Sequence, residues 1–291
     1  MKKLILLLAT AFICSGILAQ DDSVKIKKNK ETIRVGGIVI VKSGKGTKDK
    51  DVSVKIGGDN GRKKKANIST NWCILDVGFA NYSDKTNYTT AGSYLVNRPG
   101  YPALDKNDFK LKSGKSINVN FWLFMQRINL IQHHVHLKYG LGVELNNYRY
   151  KSTVSYKENG QLPYTVNTQT NAPFIFRDSI SFSKNKLAAD YATIPVMLNF
   201  VTNPDERKKG FSLSVGVSAG YLYSQRNKQV SSERGKLKNR GDYDLERFKL
   251  SYVAELGLGP VMLYGSYSPK SIYERSLDVR PFNIGFRFGY W

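Results

Sequence analysis

Polar and apolar residues alternate with a period of two through most of the chain beyond residue 70. The longest run sets Val135, Leu137, Tyr139, Leu141, Val143 and Leu145 against His134, His136, Lys138, Gly140, Gly142, Glu144 and Asn146. Successive side chains of a strand point to opposite faces, so the run predicts a strand with one apolar and one polar face. Similar segments lie near 71–82 (Cys73, Leu75, Val77 and Phe79 on one face) and 116–126 (Ile117, Val119, Phe121, Leu123, Met125). Others lie near 190–201 (Ile194, Val196, Leu198, Phe200) and 211–223 (Phe211, Leu213, Val215, Val217, Ala219, Tyr221). Two more lie near 247–258 (Phe248, Leu250, Tyr252, Ala254, Leu256) and 261–268 (Val261, Leu263, Tyr267). An eighth closes the chain: Phe282, Ile284, Phe286, Phe288 and Tyr290 alternate with Asn283, Gly285, Arg287 and Gly289 before Trp291. Pro195 lacks an N–H, which predicts a bulge or local break inside its strand.

A water-soluble sheet has no use for so many long two-faced strands. A wall standing in lipid does, with one face toward hydrocarbon and the other toward a polar lumen. The connections also alternate. Those near 127–132, 203–209 and 259–260 are short, whereas those near 83–115, 151–188, 224–246 and 269–281 are long. Together these features predict an all-β fold: an eight-stranded antiparallel transmembrane β-barrel with tight periplasmic turns and long external loops. The aromatic face of the last strand (Phe282, Ile284, Phe286, Phe288, Tyr290, with Trp291 at the end) resembles the C-terminal signal that hands such barrels to their insertion machinery. That machinery is therefore an expected partner during assembly.

The N-terminus fits this export route. Lys2 and Lys3 precede an apolar run from Leu4 to Ile13, then small residues and polar Gln20. This is a signal-peptide pattern cut after Ala19, and it is too short for a spanning helix. Acylation at Cys14 would need smaller residues than Phe12 and Ile13 before it. The expected organisation is a signal peptide at 1–19, a basic, flexible periplasmic segment at 20–67 and the barrel domain at 68–291. In the middle segment, lysines and paired glycines break regular structure, while Thr32–Val41 and Val52–Ile56 predict a pair of short strands. After processing, Cys73 alone remains, so no intrachain disulfide forms; its place on the lipid-facing side predicts an unreactive thiol.

The formal net charge is +22. In a cytoplasmic protein this would suggest nucleic acid. In an exported chain the polyanions within reach are lipopolysaccharide phosphates, phospholipid headgroups and acidic glycans, so outer-membrane lipid and lipopolysaccharide are the expected partners and nucleic acid is not.

The inward positions hold Asp76, His134, His136, Lys138, Glu144, Arg247, Lys249, Glu255 and Arg287. Eight strands leave an interior just wide enough for side chains, and buried charges there must be paired. A lumen network of ion pairs is the expectation; half of a metal site at His134 and His136 is the rival reading. No nucleophile elbow, zinc-helix motif or phosphate loop is present, so no catalytic residue, metal or cofactor is expected. The long loops carry Tyr150, Tyr156, Tyr164, Phe174, Phe176 and Phe182, and then Arg226, Lys228, Arg234, Lys236, Lys238 and Arg240. Loops on a rigid scaffold commonly carry function, and this composition suits a protein or glycan partner as well as mere solvation. Residues 178–182 read as a hairpin extending the wall.

The run Tyr191-Ala192-Thr193-Ile194-Pro195-Val196-Met197-Leu198-Asn199-Phe200, followed by Gly210-Phe211, Gly216 and Gly220-Tyr221-Leu222, resembles the PorT-like outer-membrane β-barrel family. Glu255-Leu256-Gly257-Leu258-Gly259, Leu263-Tyr264-Gly265-Ser266-Tyr267-Ser268 and Asn283-Ile284-Gly285-Phe286 extend the resemblance over roughly 70–291. It implies an eight-stranded outer-membrane barrel but no single activity, since the members are diverse; founding relatives are linked to protein secretion across the outer membrane. The expected function is that of a non-enzymatic accessory or scaffold component of an outer-membrane assembly. It would touch partners by its loops or N-terminal segment; the alternative is a small pore.

Overall fold

The computed structural model describes residues 66–204 and 210–289, together with the backbone of three strands nearer the N-terminus. The expected signal peptide, Tyr290 and Trp291 lie outside the described residues. The chain divides into two compact units, 1–65 and 66–291. In the first, β1 (Lys30–Val35), β2 (Ile38–Ser43) and β3 (Asp51–Ile56) pair as an antiparallel meander. The stretch Thr32–Val41, expected as one strand, is thus two, with Gly36-Gly37 between them.

The second unit opens with β4 (Ile68–Asp84), β5 (Leu95–Val96), β6 (Ile117–Ile131), β7 (Val135–Arg149) and β8 (Val154–Lys157). Next come β9 (Gly160–Gln161), β10 (Gln169–Thr170), β11 (Phe174–Arg177) and β12 (Lys184–Val201). It continues with β13 (Phe211–Ser231), β14 (Gly235–Arg240), β15 (Phe248–Leu258), β16 (Val261–Tyr267) and β17 (Val279–Phe288). Strands β4, β6, β7, β12, β13, β15, β16 and β17 pair antiparallel, each with the next, and β17 returns to β4. Closure leaves the wall no edge, and every expected strand takes part.

The outer surface of the ring is apolar. Val77, Phe79, Phe121, Ile194, Leu198, Val217, Leu250, Ile284 and Phe286 stand exposed there, while the alternate residues are buried inside. The alternation changes phase at a bulge at Tyr223 of β13, where the register to β12 shifts between Asp190 and Tyr191 and the buried positions pass from Leu222 to Asn227. It changes again where β4 meets β6. Cys73 and Leu123, which the register would pair, drop out of the β4–β6 ladder, and Cys73 takes a left-handed φ of 55°. Beyond that point Trp72 faces out, and Met125, expected on the lipid side, is fully buried. Cys73 itself sits on the outer surface. Pro195 points inward and interrupts the ladder to β7 between Thr193 and Val196 without shifting its register.

The narrow interior is filled by setting large side chains over glycines of the neighbouring strand. Trp122 faces Gly142, Met125 faces Gly140, Met197 faces Gly216 and Tyr264 faces Gly285. A methyl group at Gly142 would stand 2.6 Å from the Trp122 ring, and one at Gly216 would stand 2.9 Å from the Met197 chain. Such contacts leave no room for any side chain but hydrogen.

The long connections, 85–116, 150–183, 232–247 and 268–278, fold together over one end of the barrel; the other end carries the short turns. Strand β11 pairs in parallel with β5 and antiparallel with β8, which builds a small sheet from the first two loops. Strand β14 pairs with the outer end of β13 and prolongs the wall. Residues 178–182, expected to do so, form no strand; the prolongation comes from β12, β13 and β14.

Candidate functional site

The lumen is built from the inward rows of the eight strands. Arg287 of β17 donates from Nε to Oδ1 and from Nη2 to Oδ2 of Asp76 on β4, at 2.6 and 2.8 Å. Its third nitrogen pairs with Glu255 of β15, which also receives Lys138 of β7 and the Ser214 hydroxyl at 3.1 Å. Asp76 accepts a further hydrogen bond of 2.7 Å from the Trp122 indole. Glu144 pairs with Lys249 and accepts the amides of Asn146 and Asn283, both at 3.1 Å. The Lys249 ammonium also lies 4.6 Å above the Tyr191 ring. Three carboxylates and three cations thus neutralise one another out of water, each with added hydrogen bonds, as buried charges require.

Of the residues singled out in the sequence, Asp76, Lys138, Glu144, Lys249, Glu255 and Arg287 meet in this network. His136 is buried on the same inner face, near the turn end. Arg247 does not join them. It precedes β15 at the loop end, with its side chain 66% exposed and 3.5 Å from Asp242. The alternation was extended one residue too far there, across the point where the wall gives way to the loop. His134 lies in the turn before β7, where its Nδ1 is 2.9 Å from the Val201 carbonyl. It does not share a strand face with His136. The neutral members Asn118, Asn120, Trp122, Ser214, Tyr264 and Asn283 were not singled out, although their inward parity marked them. Phe282, Ile284, Phe286 and Phe288 line the outer face of β17.

This packing leaves a central void of only about 30 Å³, beside Asp76, Glu144, Glu255 and Arg287. That is room for about one water. At the turn end a cavity of about 460 Å³ opens among Arg127, Lys138, Asn199, Phe211, Met262 and Phe288, and Arg287 is its floor.

The loop end is closed by a cap with a core of its own. Tyr94, Leu95, Phe109, Tyr150, Tyr156, Ile175, Tyr243, Leu245 and Tyr273 are buried in it. The Tyr156 hydroxyl stands 2.6 Å from that of Tyr150 and 2.7 Å from that of Tyr273; Tyr94 donates to the Tyr243 carbonyl at 2.7 Å. Burial pushes Tyr150 and Tyr243 up to about 12 and holds Tyr94, Tyr156 and Tyr273 well above the ordinary tyrosine value. Arginine forks tie the loops: Arg177 holds Asp108 at 2.9 and 2.6 Å, and Arg275 holds Asp244 at 2.9 and 2.6 Å. Of the loop aromatics expected to face a partner, Tyr150 and Tyr156 build this core, and Phe174 is buried against Phe176 outside it. Tyr164 is an exception. With Tyr101 and Val166 it remains exposed, and Arg98 lies 4.1 Å above the Tyr101 ring and 5.7 Å from that of Tyr164.

A family model described as outer membrane protein beta-barrel domain matches residues 79–290. No curated protein matches the sequence. Among solved structures, similarity is found to Ail, the attachment invasion locus protein of Yersinia pestis, crystallised with the heparin analogue sucrose octasulfate. That likeness covers 75% of this chain and 99% of that one, at 14% identity and a TM-score of 0.26. It is too loose to bear on what this chain does.

Proposed function

The chain belongs to the outer membrane protein beta-barrel domain family, and from that premise we propose that it is a closed anchor holding a folded, partner-binding cap outside the cell, as an accessory or scaffold subunit of an outer-membrane assembly. In this reading the loop end faces outward, and residues 20–67 stay periplasmic behind their signal peptide. Phe282, Ile284, Phe286 and Phe288, continued by Tyr290 and Trp291, serve as the insertion signal. The reading is non-enzymatic, because the lumen carboxylates are committed to Arg287, Lys138 and Lys249.

The observation that carries the proposal is the filled lumen. A barrel whose centre is crossed by paired charges leaves no water path for solutes, so its use must lie in what it displays. The display surface is the patch of Arg98, Tyr101 and Tyr164. Exposed tyrosine and arginine are the residues that dominate protein–protein contacts.

The test is affinity purification of the tagged protein from outer membranes in mild detergent, beside the triple variant Arg98→Ala, Tyr101→Ala, Tyr164→Ala. A stoichiometric partner retained by the parent and lost by the variant supports the scaffold role. A chain that purifies alone in both forms, and conducts ions in planar bilayers, would make it a small pore instead.

A further inference from the structure

Beyond the lipid-facing belt the wall carries an unusual arrangement of charge. The belt ends at Tyr221 and Tyr223 of β13 and Phe248 of β15, all exposed, with the Tyr221 and Phe248 rings 5.2 Å apart. Strands β7, β12 and β13 continue past it, and β14 is added alongside. In this extension Arg149 pairs with Lys186, Lys186 with Lys228, and Lys228 with Lys238. Four cations therefore stand in one row across four strands. In the next row outward, Lys184 and Lys236 flank Val230. Residues directly opposite in a ladder share a face. This one is the outer face, because the alternate residues Asn185, Asn227 and Gln229 are buried.

Like charges set directly opposite destabilise a sheet. The fold does little to offset them. Arg226, one row nearer the belt and opposite Arg240, is paired with Asp190 at 2.5 Å; Glu158 and Asp242 line the same groove. Among the described residues no ion pair reaches Lys184, Lys186, Lys228, Lys236 or Lys238. Lys186 leans on the Asn147 side-chain oxygen at 2.5 Å, and Arg149 donates to the Ser183 carbonyl at 2.8 Å. Lys186 lies beyond the belt, and its ammonium is pushed down to about 8 by burial and by the neighbouring Lys228 and Lys184.

We propose that this row is a binding site for the phosphate groups of lipopolysaccharide in the outer leaflet. Position argues for it. Ala192 of β12, in register with Tyr221, marks the belt edge. At about 3.3 Å rise per residue and the usual strand tilt, the Lys186 row stands about 15 Å above it, at the height of phosphorylated headgroup sugars. Charge argues for it too. Neighbouring strands are about 4.8 Å apart, so the row offers several cations to a cluster of phosphates without rearrangement. Repulsion that costs stability in the empty protein becomes attraction once phosphates lie between the cations.

The inference rests on the loop end facing outward, and the two are tested separately. For the site, the full-length barrel in nanodiscs is titrated with rough lipopolysaccharide, with the same glycolipid after dephosphorylation, and with dextran sulfate. The parent is compared with Lys186→Gln/Lys228→Gln/Lys238→Gln and with a control of equal charge change, Lys106→Gln/Lys110→Gln/Lys157→Gln. The site variant should bind phosphorylated lipopolysaccharide at least tenfold more weakly, the control should match the parent, and dephosphorylation should abolish the difference. In lipid-free detergent the site variant should melt at a higher temperature than the parent, which separates lost binding from lost folding. Equal loss in the control, equal binding of the dephosphorylated lipid, or a loss confined to dextran sulfate would overturn the proposal. For the orientation, Ser232→Cys in a Cys73→Ser background should react with an impermeant maleimide on intact cells. Absence of labelling would refute the outward cap while leaving the nanodisc result to stand by itself.

Discussion

Arg287 of the last strand stands directly opposite Asp76 of the first, and its guanidinium grips both carboxylate oxygens, at 2.6 and 2.8 Å. The seam where the barrel closes is thereby joined from inside as well as by its backbone ladder. The same guanidinium reaches Glu255, so β17, β4 and β15 share one charge cluster. Arg287→Ala leaves Asp76 without its cation and Glu255 with Lys138 alone. Removal of one partner from a buried pair costs about 3–5 kcal/mol. The urea midpoint of the detergent-folded barrel should fall accordingly, with loss of the heat-modifiable gel band at lower temperature. Arg287→Lys should recover only part of this, because an ammonium cannot hold two oxygens in the planar fork. An unchanged midpoint for Arg287→Ala would mean that the cluster does not hold the seam.

The same seam depends on Gly78 and Gly285, which face each other across β4 and β17 beneath Tyr264. A methyl group at Gly285 would meet the Gly78 backbone and stand 2.8 Å from the Tyr264 ring; one at Gly78 would stand 2.7 Å from the Tyr264 hydroxyl. Gly285→Ala should cost about 1–3 kcal/mol by overpacking. Tyr264→Leu in the same chain should restore part of the loss, read by the same unfolding curves. Additive losses in the double variant would show that the ring is not what the methyl group strikes.

How far these features were legible depends on how local their cause is. The wall was readable because lipid on one side and a polar lumen on the other impose a period of two on each strand by itself. Asp76, Lys138, Glu144, Lys249, Glu255 and Arg287 could be grouped from parity alone. The phase change at Cys73 and Leu123 could not, since it arises from two strands giving way together, and Met125 was therefore assigned to the wrong side. Arg247 failed for a related reason: parity says which face a residue takes, not where the membrane-spanning part ends. The cap was least legible. Its contacts, such as Tyr94 with Tyr243 or Leu95 beside Ile175, join segments far apart in sequence with no repeat to announce them. Aromatic loop residues look alike in sequence whether they face a partner or one another.

Tyr156 should be the keystone of that cap. Its hydroxyl bridges Tyr150 and Tyr273, and its ring lies 5.6 Å from that of Tyr243. Tyr156→Phe removes the bridge and should cost about 1 kcal/mol. Tyr156→Ala also empties the ring's space and should cost about 3–5 kcal/mol. The loss should be confined to the cap. Trypsin added to the detergent-folded protein should then cut the Ala variant at loop sites such as Lys157 and Arg177, while β-sheet circular dichroism of the barrel persists. Protection equal to that of the parent would show that the cap does not depend on this side chain.

The buried tyrosines also set an alkaline limit on the cap. Burial raises Tyr150 and Tyr243 from the ordinary value of 10.0 to about 12, so the folded cap keeps its phenols neutral where the unfolded loops ionise. A group whose folded pKa is raised contributes stability that is complete below the unfolded value and declines as pH rises through the folded one. Cap stability should accordingly be flat up to about pH 10 and fall between about 10 and 12. Tyr94, Tyr156 and Tyr273, shifted in the same direction by the same cause, steepen the fall. Phenolate absorbance at alkaline pH should show one set of tyrosines titrating near 10 and a second appearing only as the cap opens, together with new trypsin sites in the loops. The barrel should outlast this transition, since its closed backbone ladder does not depend on the loop tyrosines. A single phenolate wave near 10 with the loops still protected would mean that the tyrosine cluster is open to solvent.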